Sequence, residues 1–234
     1  MMRTFPILMT SLLANSAFAM NIDTMLLIGD EYGNGVFTIS NEGETTEFIQ
    51  SNITQIEVKE GNLIRTPYTE DNFEDWRVTL THPKMILEAG RQKQVGVRSL
   101  CGSKCDFIQD QYFLVSFEPS PYDPEGKSKS AVVINFGYRP LFVIPAKKQN
   151  IDYTISLENG QLFINNKGNS FIRAYIDECT DDITEDCELT AMSLAGRERA
   201  YELPKNIKST NLNVTIVNHD ESYREKLTLR ESEE

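Results

Sequence analysis

The chain has 234 residues, 23 basic against 35 acidic side chains, and a formal charge of −12. That balance argues against a nucleic-acid partner, whose phosphates call for clustered Lys and Arg, and reads as a solubility feature. With His82 and His219 as its two histidines and no Gly-x-Ser-x-Gly, phosphate-cradling glycine loop or His-Glu-x-x-His, the chain is not read as an enzyme, and no cofactor is expected.

Residues 1–19 read as a secretory signal, with Arg3 as the positive start, PILMTSLLA as the apolar core and Ala17-Phe18-Ala19 as the cleavage site. Maturation then begins at Met20, and losing Arg3 takes the charge from −12 to −13. The apolar run is too short to span a bilayer. The expectation is an exported product without membrane insertion.

From Met20 to about Pro145 short alternating runs are punctuated by turn residues. The first is MLLI at Met25 to Ile28, then GVFTISNEG, where Phe37 and Ile39 face one way and Thr38 and Ser40 the other. FIQSNITQIEV, RVTLTHPKMIL, QVGVRSL and YFLVSFEP follow at the spacing of an all-β sandwich. LIRTPYTEDNFEDW, from Leu63 to Trp76, reads as polar and irregular, with Trp76 filling a core or rim position.

The polar stretch PSPYDPEGKSK then precedes SAVVINFGYRPLFVIP, Ser130 to Pro145, which reads as one long strand at a sheet edge. Val132 and Ile134 share a face, and an apolar edge strand in an exported protein is an aggregation hazard unless a partner covers it. The strand therefore reads as lent to another protein. Pairing of two copies through the same edge is a further expectation.

A second set of short strands follows: YTISL, QLFINNKG, FIRAYIDE, YELP, LNVTIVNHD and EKLTLR. Leu162, Ile164, Val214 and Ile216 are its expected core. LTAMSLAGRERAYELP fits either a helical turn or a connection closing on Pro204. The cysteines fall in two close pairs, Cys101 with Cys105 and Cys179 with Cys187. Two local disulfides are the economical reading in an oxidising compartment, with a four-thiolate zinc site as the rival. EDNFED and DECTDDITEDCE lack the regular ligand spacing and central glycine of a calcium loop, so no metal is expected.

HPKMILEAGRQKQVGVRSL is more specific. A proline leads an apolar strand, then come Leu87-x-x-Gly90 and Val95-x-Val97-Arg98. The segment resembles that of PapD-like periplasmic pilus chaperones, with Ala89 where the family usually has proline. YFLVSFEPSP, Phe136 to Pro140 and QLFINNKGNSFIRAYI are similar to further family segments in the same order, and Cys179 with Cys187 resemble the alternate branch serving non-classical fimbriae.

The resemblance implies two immunoglobulin-like sandwiches in an L or boomerang, residues 20–144 and 145–234, acting in the periplasm on fimbrial subunits with an outer-membrane usher. The last strand of the first sandwich would fill the groove of an unfinished subunit sandwich, which is β-augmentation. Its donor face would be Ser128, Ser130, Val132 and Ile134. Two serines stand where bulky residues are usual, and each missing large side chain forfeits roughly 1.5 to 3 kcal/mol.

The family's basic pair that grips the subunit carboxylate matches Met25 and Asn135, so both charges are absent here. Arg139 matches an arginine that bridges the two domains through acids matching Glu118 and Asp220. Lys147 and Lys148 are candidates for the cleft. The competing reading is a structural or adhesive pilus component of two sandwiches.

Overall fold

The computed structural model describes residues 20–101, 107–124, 136–207 and 211–231. The signal, the donor face at 128–134, Asn135 and Cys105 lie outside them. The described chain is β-structure throughout apart from one short 3-10 turn at Glu70–Asp75, which bears out the all-β expectation.

The first half forms two facing sheets. One holds β1 (Met20–Ile22), β3 (Gly35–Asn41), β8 (Gln92–Ser99) and β6 (Val78–Leu80), in the order β1-β3-β8-β6. The other runs β2 (Leu26–Ile28), β10 (Leu141–Ile144), β9 (Gln111–Pro121), β4 (Glu47–Lys59), β5 (Asn62–Pro67), and β7 (Lys84–Leu87) also pairs with β4. Alternation sets the core between them. Phe37, Ile39, Val95 and Val97 from one sheet meet Ile49, Phe113, Val115, Phe117 and Phe142 from the other, all fully buried.

Residues 153–230 build a second pair of sheets. β11 (Tyr153–Glu158), β12 (Gln161–Asn166) and β15 (Glu198–Glu202) lie in the order β11-β12-β15. They face β14 (Glu188–Ser193), β13 (Ile172–Asp177), β16 (Asn211–Val217) and β17 (Arg224–Arg230), in the order β14-β13-β16-β17. Leu162, Ile164, Val214 and Ile216 are all in the core, as their alternation indicates.

Several expectations are corrected. MLLI is not the first strand: β1 at Met20–Ile22 precedes it and pairs with β3, the chain crosses over at Asp23 to Met25, and Leu26–Ile28 joins the other sheet. Pro83 divides RVTLTHPKMIL into β6 and β7 because proline cannot donate to a ladder. The segment after Leu63 is not irregular at its start. Glu60 and Gly61, at φ of 52° and 76°, turn β4 back into β5 as a two-residue hairpin. Trp76 fills a rim position, stacked on Tyr68 at 5.0 Å. The ambiguous stretch from Leu189 to Pro204 forms strands β14 and β15 around a turn, with no helical turn.

Both halves use one device at a corner. The buried Asn41 donates its side-chain amide to the carbonyls of Thr45 and Leu87 and accepts the amide of Gly43. Buried Asn166 does the same with Ser170, Ser193 and Gly168. Asn-x-Gly suits this because the short amide mimics a backbone turn. At Gly168 a Cβ would stand 2.4 Å from the Asn150 carbonyl oxygen, which leaves room for glycine alone.

Cys179 and Cys187 form a disulfide across the loop between β13 and β14, and Cys101 is also disulfide-bonded. The zinc rival therefore has no thiolates to offer among the described residues. Closing an eight-residue separation restrains the unfolded chain, so Cys179→Ser with Cys187→Ser is expected to cost about 2.5 kcal/mol, read by thermal unfolding of the double variant.

Candidate functional site

β9 is the strand on which the site is built. On one side it pairs with β4 along its whole length, from Ile56↔Tyr112 to Glu47↔Pro121. On the other side β10 covers only Gln111 to Leu114. Bonds from the Val115 amide to the Pro140 carbonyl (3.0 Å) and between Phe117 and Tyr138 in both directions (2.8 and 3.0 Å) carry the line back to Tyr138. Residues 138–144 thus follow β9, although Pro140, lacking an N–H, interrupts the regular ladder. Beyond Phe117, the second edge of β9 is unpaired as far as Pro121 among the described residues.

Gly137 is the point of closest approach. A Cβ there would lie 2.6 Å from the Phe117 carbonyl oxygen. Phe136, just before it, leaves the sheet edge 70% exposed. On the far side of β10, β2 runs parallel, and the Leu141 amide donates to the Met25 carbonyl at 2.9 Å. Met25 itself is exposed, an apolar side chain at one of the two expected anchor positions.

The three expected bridge residues are not brought together. Glu118 and Arg139 line one shallow hollow of about 400 Å³ with Ser116, Gly137 and Tyr138. Asp220 lies in another, of about 580 Å³, with Asp30, Tyr32, Lys147 and His219 among its lining residues. Its carboxylate accepts from the Ser222 hydroxyl and amide and stands 3.9 Å from His219 Nε2, and the Ser222 hydroxyl holds it below the usual Asp value. Among the described residues no carboxylate pairs with Arg139. Lys147 reaches this hollow.

The two halves are tied instead by Asp110, just ahead of β9. Only 3% exposed, it accepts the Ala146 amide on one oxygen (2.8 Å) and on the other the Phe171 amide (2.8 Å) and Ser170 hydroxyl (3.0 Å). Burial pushes this carboxyl above its ordinary value of 3.8, against the pull of those donors. The Tyr112 hydroxyl reaches the same oxygen and accepts the Ala195 amide at 3.0 Å. Around them Ile56, Tyr112, Val143, Phe171, Leu194 and Ala195 form an apolar cluster shared by both halves. Sequence reasoning missed Asp110 because a single acid before an apolar run looks like any strand end.

The family model described as the CS5 fimbrial protein N-terminal domain matches residues 22–145. No curated protein matches the chain. Among solved structures, the class 5 fimbriae chaperone CfaA aligns over 92% of this chain and 100% of its own, at 15% identity and a TM-score of 0.54. A chain of the Salmonella enterica SafA pilin in complex with the SafB chaperone aligns over 92% and 99%, at 13% identity and a TM-score of 0.60. One from the CsuC–CsuE chaperone–tip adhesion subunit pre-assembly complex of Acinetobacter baumannii covers 92% and 100%, at 11% and 0.55. At such identities these structures establish a shared fold, that of the chaperone-usher chaperones. The family model spans more than half of the sequence, and the chain therefore belongs to the CS5 fimbrial protein N-terminal domain family.

Proposed function

We propose that the protein is a periplasmic chaperone that holds an unfinished fimbrial subunit by lending it a strand and passes it to an outer-membrane usher. Residues 20–144 form the lending domain in this reading and 145–234 the second. The observation that carries it is the fold shared with the class 5 fimbriae chaperone CfaA over 92% of the chain, with residues 138–144 following the second edge of β9. A strand at a sheet edge can be lent through its N–H and C=O groups, while apolar side chains set the register. Ser128, Ser130, Val132 and Ile134 are the donor face, and Met25 and Asn135 stand where a basic pair would otherwise hold the subunit's carboxylate.

Changing Val132 and Ile134 together to Asp should cut recovery of a co-expressed fimbrial subunit at least about tenfold, since each lost apolar contact is worth about 1.5 kcal/mol or more. The variant's own melting temperature should stay put. A subunit that still co-purifies would show that the lent segment lies elsewhere. A structural fimbrial component, which the family description also fits, would instead build fibres from the purified chain alone, visible by electron microscopy.

A further inference from the structure

Two sheet edges with no partner strand among the described residues lie where the halves meet. β5 ends its sheet on one side and β15 ends the sheet β11-β12-β15. Val58 and Leu63 of the β4–β5 hairpin pack in one apolar cluster with Met192, Leu194 and Ala195, and Val58 Cγ1 lies 3.7 Å from where a Cβ on Gly196 would stand. Leu63 faces that contact, so Arg65, two residues on, leaves β5 on the same side. From the other half, Arg197 and Arg199 share a face of the chain entering β15, and the Arg199 guanidinium lies 4.7 Å over the Tyr201 ring.

No carboxylate pairs with Arg65, Arg197 or Arg199 among the described residues, in a chain with 35 acids to spare. Glu198, on the opposite face of β15, bonds to Asn165. Burial and then the charges of Arg199 and Arg65 lower the Arg197 guanidinium below its ordinary value. Charges scattered along edges to deter aggregation have no need to crowd one another. Crowded like charges at a junction, beside sheet edges that no described strand pairs, suit an extended anionic ligand.

We propose that Arg65, Arg197 and Arg199 form one site spanning both halves that binds the Asp and Glu side chains of an extended acidic segment in the partner protein. The identity of that partner rests on the chaperone reading above; the site's binding chemistry does not. At ordinary ionic strength charges more than about 10 Å away are screened, so the local cluster outweighs the chain's overall acidity.

The probe is a fluorescein-labelled peptide of six glutamates, capped at both ends, followed by anisotropy with the full chain at an ionic strength of about 0.1 M. Arg65→Gln, Arg197→Gln and Arg199→Gln combined should weaken binding at least about tenfold, and the matching lysine triple should recover it to within about fivefold. Absence of binding, or equal binding by the glutamine triple, overturns the site. Sulfate that displaces the peptide at equal concentration also overturns it, in favour of a free-anion site. No fimbrial subunit enters this assay. Peptide binding that follows the arginines while no subunit is captured therefore sustains the site and defeats the chaperone reading, whereas capture without peptide binding does the reverse.

Discussion

Replacing Asp110 by alanine is expected to cost about 4 kcal/mol and to lower the melting temperature by roughly 10 °C. The change leaves the amides of Ala146 and Phe171 without an acceptor in a site where Asp110 is 3% exposed. Each orphaned donor costs about 1–3 kcal/mol, and the Ser170 hydroxyl loses its acceptor as well. Asparagine is only a partial replacement, because its amide nitrogen would face either one donor or several.

The pH dependence has a definite sign. Burial raises the Asp110 carboxyl above 3.8, so the folded chain holds this proton more tightly than the unfolded one. Stability contributed by this group is therefore greatest at low pH and falls as pH rises from about 3.8 through the raised folded value. Asp110→Asn should remove that part of the slope. Thermal melts of both proteins across acid pH, compared at matched ionic strength, measure it; an unchanged slope would show that Asp110 does not titrate there.

Gly137→Ala is expected to detach the run into β10 without unfolding the sandwich. The added methyl would stand 2.6 Å from the Phe117 carbonyl oxygen, closer than carbon and oxygen approach, and backbone has to move to relieve it. What gives way is the pair of bonds between Phe117 and Tyr138, worth together about 2 kcal/mol. Amide exchange at Phe117 and Tyr138 should accelerate by about tenfold or more, while amides of β4, held by β9 on its other side, keep their protection. In the proposed function the same substitution shifts the lent strand out of register and weakens subunit capture with little change in melting temperature.

Much of the architecture is written in period-two alternation. Phe37 with Ile39 and Leu162 with Ile164 announce buried faces because a strand packed on one side must alternate. Local signals fail where the chain changes sheet or where a contact is made at a distance. The crossing between β1 and β2 passes through Asp23 to Met25, three residues with no glycine or proline to mark the change of sheet. Strand β14 was hidden by Leu189, Ala191 and Met192, residues that suit a helix equally well until a partner strand is present.

The bridge between the halves illustrates the same limit. Arg139 stands in the motif that the resemblance singles out, yet the link in this chain is a carboxylate collecting donors from Ala146, Ser170 and Phe171, a pattern that exists only after folding. At 128–134 the alternation is visible in sequence, and its use as a donor face belongs to the proposed function.

Several independent struts cross the junction. Asp110 clasps it at the strand β9 end, the Asn169 side chain ties the carbonyls of Ile108 and Lys148 at 2.7 and 2.9 Å, and the Val58–Leu63 hairpin leans on Leu194. A junction braced in this way has little play, so the angle between the halves is set by this chain alone. In the proposed function a subunit therefore loses no affinity to closing a jaw, and one whose shoulders do not fit that preset opening is turned away at first contact.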